Sequence, residues 1–90
     1  MKIISVTLGT GATAISASPL PFSWMAIQNN AAADCHFGDS TVTTSNGITV
    51  AKGTPGTPFI VAPGIPGFSY DASQCYLAGT STNVIQVVVM

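Results

Sequence analysis

The residue types that carry most enzyme chemistry are scarce in this chain of 90 residues. Its one histidine, His36, directly follows Cys35, and its second cysteine is Cys75. Acyl transfer needs a nucleophile, a base and an orienting group within hydrogen-bonding reach of one another. Neighbouring residues of a strand point to opposite faces, so Cys35 and His36 are not expected to share a hydrogen bond. We predict a protein that is not an enzyme, with no catalytic residues and with His36 at the surface or in an interface.

Metal ligands are not grouped in the sequence. Zinc needs three or four ligands, and the spacings C-x-x-C and H-x-x-x-H are absent. The aspartates stand singly in turn-like contexts, where the carboxylate commonly bonds to nearby backbone; they are Asp34, Asp39 and Asp71. We therefore predict no metal site.

The segment from Gly9 to Ala14 fits the dinucleotide-binding spacing G-x-G-x-x-A, and Asp34 follows twenty residues later. That motif must open a helix whose N-terminus holds the pyrophosphate. Residues 15–21 contain two serines and two prolines, which prevent a helix of useful length. We interpret the match as chance and predict no cofactor.

The two cysteines allow one disulfide bond. A disulfide would be usual in a small secreted domain, but the apolar stretch after Lys2 ends at Gly9 and is too short for a secretion signal. Free cysteine is among the most buried residue types. Two reduced core thiols are the favoured interpretation, and a disulfide is the alternative.

Composition limits the partners. Charged residues make up 6% of the chain, against about 25% in ordinary soluble proteins. Two lysines without any arginine cannot form a basic patch, so we expect no direct nucleic-acid binding. The longest clean apolar run, 87–90, is far too short to span a membrane. A surface with so little charge indicates a subunit that is covered by neighbours, including copies of itself.

Short runs of β-branched residues separated by Gly, Pro, Asn and Asp predict an all-β fold. We expect one domain over 1–90, a small antiparallel β-sandwich or barrel of about seven short strands. Residues 9–21 are predicted as an extended crossing segment, with turns at 38–40 and 46–47. The predicted strands are 2–8, 22–28, 35–37 with a possible extension over 41–44, 48–50, an edge strand at 59–61, 74–78 and 83–89.

Two apolar runs would promote aggregation if they formed bare sheet edges. They are residues 3–6 and 87–89, and the second has no Lys or Pro beside it. We expect other strands or neighbours to cover both.

The segment 52–70 is rich in proline and lacks a strand pattern, yet it carries several aromatic rings. Rigid loops with aromatic side chains lose little entropy on docking. We predict that Phe59, Phe68 and Tyr70 anchor the protein to its neighbours, aided by 9–21; the alternative is that this loop folds back over a sheet edge. Trp24, in the middle of an apolar run, is predicted to lie in the core.

Several motifs in order resemble a group of small β-sandwich structural proteins of tailed bacteriophages. The motifs are the strand PFSWMAIQNN at 21–30, the turn FGDSTVTT at 37–44, YLAGT at 76–80 and the valine-rich end. Members of this group serve as capsid cement (decoration) proteins or as head–tail and fibre-associated parts. The resemblance implies a virion component, assembled in the host cytoplasm, and carries over no binding residues.

These observations lead to four expectations of function. The first is a capsid cement protein that binds the major capsid protein and stabilises the assembled shell. The second is a neck, tail or fibre-associated component of the virion. From another class come a carbohydrate-binding or host-surface module and, last, a small secreted β-domain.

Overall fold

The computed structural model describes residues 1–53, 58–62 and 70–90. Within these ranges the chain forms ten β-strands and one 3-10 turn, the latter over Ala72–Gln74. The strands are β1 (Lys2–Thr7), β2 (Thr13–Ala14), β3 (Pro21–Phe22), β4 (Met25–Gln28), β5 (Cys35–Gly38), β6 (Ile48–Val50), β7 (Phe59–Val61), β8 (Tyr70–Asp71), β9 (Tyr76–Ala78) and β10 (Val84–Val89).

The strands form two four-stranded sheets and a small ribbon, and the paired strands are antiparallel. The first sheet has the order β1-β10-β4-β7, the second β2-β9-β5-β6, and the ribbon pairs β3 with β8. The predicted all-β, antiparallel sandwich class is confirmed. The number of strands exceeds the prediction because three of the ten contain only two residues.

Alternating side chains along each strand place one side of each sheet in the core. In β10, Ile85, Val87 and Val89 are buried, whereas the residues between them are exposed or half-buried. The two sheets meet across a shared core, where the ring centroids of Phe37 in β5 and Phe59 in β7 lie 5.7 Å apart. The buried cluster comprises Val6, Leu8, Ile15, Phe22, Met25, Ile27, Cys35, Val50, Ala72, Leu77, Ile85, Val87 and Val89.

The two apolar runs that would promote aggregation as bare edges, 3–6 and 87–89, are both part of the first sheet. The prediction that 83–89 forms an interior strand is confirmed, since β10 lies between β1 and β4. The predicted edge strand at 59–61 is also confirmed as β7. The run 3–6 has a different position, because β1 is the outermost strand of this sheet.

The prediction of one strand over 22–28 is wrong. Phe22 pairs with Tyr70 in the ribbon, and the first sheet begins only at Met25. Between them, the backbone N–H and the hydroxyl of Ser23 both donate to the carbonyl of Met90, at 2.8 and 3.2 Å. This turn of the chain moves it from the ribbon into the first sheet. It also leaves Trp24 half-buried and outside the core cluster, contrary to prediction.

Aspartate and asparagine side chains shorten two other predicted strands. Asp71 accepts from Ser73 N at 2.9 Å and thereby caps the 3-10 turn, so β9 begins at Tyr76 rather than at position 74. The stretch 41–44 is not a strand, because Asp39 and Asn46 accept from the backbone N–H groups of residues 41 and 43. The predicted turn residue Gly47 has a φ of +87°, a conformation that glycine adopts readily.

Asn29 joins the two sheets from a fully buried position. Its amide nitrogen donates to the carbonyls of Ala33 and Val50, each at 3.1 Å, and its Oδ1 accepts from Ala31 N at 3.0 Å. Val50 belongs to the second sheet, whereas Asn29 directly follows β4 of the first. The side chain therefore fixes the crossing between the sheets.

The cysteines are free thiols, as favoured from the sequence, and the strand register shows why they cannot pair. In the pairing of β5 with β9, Cys35 lies opposite Gly79, where an added Cβ would approach its Cβ to 3.1 Å. Cys75 lies four register positions away, about 13 Å along the strands. A disulfide needs Cα atoms within roughly 7 Å. Cys35 is buried, whereas Cys75 is only partly buried.

Candidate protein interaction surface

The outer side of the first sheet carries rows of apolar residues that run across its strands. One row joins Ile3, Val88, Ala26 and Ile60, one residue from each strand. The neighbouring row contains Trp24, Met90 and Met1. Met90 N donates to the carbonyl of Trp24 at 2.9 Å, and the register of β1 with β10 places Met1 beside Met90. We call these residues the apolar face: Met1, Ile3, Trp24, Ala26, Ile60, Val88 and Met90.

Much of the apolar face is accessible to solvent. Met1 is 86% exposed, Ile3 66%, Met90 57% and Ile60 43%. Single exposed apolar residues are ordinary, but a contiguous group of them is typical of an interaction site.

The rows beside the apolar face are polar but uncharged. Ser5, Gln86 and Gln28 form the next row, and the Ser5 hydroxyl donates to Gln86 Oε1 at 3.1 Å. No residue with a charged side chain occupies these rows in the described part of the sheet. Lys2 belongs to β1, but it is the neighbour of Ile3 in that strand, so its side chain points to the other side of the sheet. The surface is therefore suited to an apolar or neutral partner.

The outer side of the second sheet has a different composition. Its rows contain small and polar residues, namely Ala14, Tyr76 and Gly38 in one row and Ala78, His36 and Thr49 in the next. His36 is half-buried, and its Nδ1 is buried with no hydrogen-bond partner among the described residues. His36 and Cys35 alternate along β5, with Cys35 in the core. The structure does not bring them together as a pair.

The predicted anchors occupy different environments. Phe59 is half-buried and packs against the core, beside Phe37. Tyr70 is 40% exposed, and its ring centroid lies 5.9 Å from that of the buried Phe22. Phe68 lies outside the described residues. The role of these anchors at an interface stays a prediction. The apolar face was not predicted from the sequence. The signal that could have found it is that residues 1, 3, 88 and 90 point to the same side of two paired strands.

The three aspartates accept hydrogen bonds from backbone N–H groups. Hydrogen bonds from the side chain and the backbone N–H of Thr41 lower the pKa of Asp39. The Leu20 N–H, followed by the side chain and N–H of Ser73, lowers the pKa of Asp71. Asp34 accepts from Lys52 N at 2.9 Å. The expectation that the aspartates bond to nearby backbone is confirmed for Asp39 and Asp71, whereas Asp34 bonds to backbone eighteen residues away.

Burial raises the pKa of both thiols. It raises the pKa of Cys35 to about 11, with a smaller contribution from the nearby Asp34 carboxylate. The pKa of Cys75 is raised by burial and then by Asp71. Both thiols are therefore poor nucleophiles at neutral pH.

A groove of about 350 Å³ lies beside the connection between β5 and β6. Its polar groups already bond to one another: Asp39 accepts from Thr41, and Asn46 accepts from Thr43 N. The described residues contain no group of three or more His, Cys, Asp or Glu that could hold a metal ion. Over the same ranges, no helix is long and apolar enough to cross a membrane.

Comparison with known proteins leaves the function to be argued from this chain alone. No family model matches the chain, and neither the curated proteins nor the solved structures contain a match. The functional proposal therefore depends on the chain's own residues, above all on the apolar face.

Proposed function

We propose that the chain is a structural protein of a bacteriophage virion, a capsid cement protein that binds and stabilises the assembled major capsid shell. The apolar face is the observation that carries the proposal. It crosses the four strands of the first sheet, its side chains carry no charge, and none of them belongs to the buried core cluster. The resemblance of the sequence motifs to small phage structural proteins supplies the type of partner.

Binding only to the assembled shell would stabilise that shell by mass action. A partner at a hundredfold excess over its Kd contributes about 2.7 kcal/mol per site. A rigid sheet face loses little conformational entropy when it docks, so this part of the cost of association is small. Repetition over many sites would then strengthen the particle.

The first experiment is to count copies of the chain in purified virions by quantitative mass spectrometry. A cement protein is expected in hundreds of copies per particle, whereas a neck, tail or fibre component would be present in tens or fewer. Absence from the particle would contradict both assignments.

The second experiment tests the apolar face itself. The double variant Ile60→Thr with Val88→Thr keeps β-branched side chains but adds two hydroxyl groups to the face. We expect it to bind assembled shells at least tenfold more weakly in a co-sedimentation assay. The matched control, Ala14→Ser with Thr49→Ser on the outer side of the second sheet, should bind as wild type. Equal binding by both variants would contradict the assignment of this face.

A carbohydrate-binding module is the second candidate, because Trp24 lies half-buried on the apolar face. Indole rings on a sheet surface can stack against sugars through their apolar faces. Saturable binding on a glycan array that is lost in Trp24→Ala would favour this candidate over the virion role.

A further inference from the structure

The first sheet ends in an unusually open edge at β1. Each four-stranded sheet has two edge strands, and three of the four are short: β2 has two residues, and β6 and β7 have three each. β1 has six residues, and no described strand pairs with its outer edge. Natural proteins usually protect such edges with proline, bulges, inward charges or short strands. β1 contains no proline, and its one charged residue, Lys2, stands at its start.

The hydrogen bonding of β10 shows which backbone groups of β1 could pair with a further strand at its outer edge. Met90 exchanges hydrogen bonds with Trp24, so its N–H and C=O point toward β4. Along an antiparallel strand the backbone N–H and C=O groups of successive residues point alternately to the two neighbouring strands. Those of Val87 therefore point toward β1, where Val87 pairs with Ile4. The odd residues of β1 therefore direct both N–H and C=O away from the sheet; they are Ile3, Ser5 and Thr7.

We propose that a second copy of the chain pairs with this edge, β1 against β1 in antiparallel orientation, to form a continuous eight-stranded sheet. A two-fold axis beside Ser5 would place Ser5 opposite the partner's Ser5 and Ile3 opposite the partner's Thr7. Each of these three residues would then exchange two hydrogen bonds across the edge, six in all. An edge paired with its own copy is self-complementary, as a two-fold interface requires.

Charge permits this pairing. In the proposed register Lys2 lies opposite the partner's Leu8, so the two lysines stand at opposite ends of the joint. The apolar row that runs from Ile60 to Ile3 would meet the partner's Thr7 at the joint, with the partner's Val84 next in the same row. The inference is independent of the virion role, since it depends only on the edge of β1.

A proline at position 5 tests the backbone pairing. Ser5→Pro removes an N–H that points away from β10, so the ladder inside the sheet keeps its hydrogen bonds, and edge strands tolerate proline at such positions. Ser5→Ala is the matched control, because it loses the same hydroxyl bond to Gln86 but keeps the N–H. Sedimentation equilibrium at pH 7 should show dimers for wild type and Ser5→Ala, with dimerisation at least tenfold weaker for Ser5→Pro. A monomeric wild type, or a folded Ser5→Pro that dimerises normally, would overturn the proposal.

Cysteine cross-linking tests the register and does not depend on how the proline variant folds. In the proposed pairing the two Cα atoms at position 5 are about 5.5 Å apart, within reach of a disulfide. The two copies of position 7 are separated by four register positions, about 13 Å. Under mild oxidation Ser5→Cys should give covalent dimers above the wild-type background, and Thr7→Cys should not. Dimers formed only by Thr7→Cys, or by neither variant, would overturn this register.

Discussion

The two four-stranded sheets resemble each other on their inner sides and differ on their outer sides. Both inner sides are apolar and contribute to one core. The outer side of the first sheet carries Met, Ile, Val, Ala and Trp beside a row of Ser and Gln, whereas that of the second carries Ala, Gly, Thr, His and Tyr. A sandwich is stable with one buried side per sheet, so its fold does not require a second apolar side. The proposed docking surface rests on this difference between the two outer sides.

The largest expected effect separates the inner and outer sides of the same strand. Ile85→Ala removes a fully buried side chain of β10 and should lower the free energy of unfolding by about 3 kcal/mol. Val88→Ala, on the apolar face, should lower it by less than about 1 kcal/mol, because that side chain is already partly solvated. Urea unfolding of both variants measures the contrast. Equal losses would show that the apolar face is covered within the isolated protein.

A smaller loss of stability is expected when Asn29, whose side chain joins the two sheets, is replaced. Asn29→Ala leaves the Ala31 N–H and the carbonyls of Ala33 and Val50 without their partner, which should cost about 2 kcal/mol. Asn30→Ala is the control, because Asn30 is exposed and its side-chain oxygen accepts from the Gln28 amide. Thermal unfolding should show a drop of roughly 8–16 °C for Asn29→Ala and almost none for the control. A reversed order would contradict the role of Asn29 at the crossing.

The two outer sides should also differ in their effect on solubility. Near its isoelectric point of about 5.3, the nearly uncharged protein is expected to self-associate and precipitate. Ile60→Thr with Val88→Thr should raise the saturation concentration severalfold, with stability changed by less than about 1 kcal/mol. Ala14→Ser with Thr49→Ser should leave it unchanged. Light scattering at pH 5–6 measures both, and a clean wild-type monomer at high concentration would count against an assembly role.

The thiols should show the smallest effect, a difference in labelling rate without a change in stability. Denatured, unreduced protein should take up two equivalents of a thiol reagent, since both cysteines are free. In the native state Cys75 should react first, because Cys35 is buried and has a pKa of about 11. The thiolate fraction falls tenfold for each pH unit below the pKa, so native labelling should accelerate as pH rises from 7 to 9. Faster labelling of Cys35 than of Cys75 would contradict this order.

The regular strands could be predicted from the sequence, because alternation and β-branched runs depend on neighbouring residues. β1, β10 and the edge strand β7 were found in this way. The position of Trp24 was mispredicted and the role of Asn29 was not anticipated, for a common reason: their surroundings depend on residues distant in sequence, Met90 for Trp24 and Val50 for Asn29. An asparagine in an Ala-rich loop is usually solvated, and a Trp in an apolar run is usually buried. The apolar face needed the register of four strands, which no local pattern contains.

The central position of β10 has a consequence for folding kinetics. β1 and β4 both take their partner from residues 84–89, so the first sheet closes loops of more than fifty residues before it gains its ladder. Contacts of such long sequence separation slow folding, and all-β domains of this kind fold in milliseconds to seconds. While that search lasts, the backbone groups of β1 and β4 compete for partners on other chains. The strand that completes the sheet thus also sets how long the unfinished chain is open to misassembly.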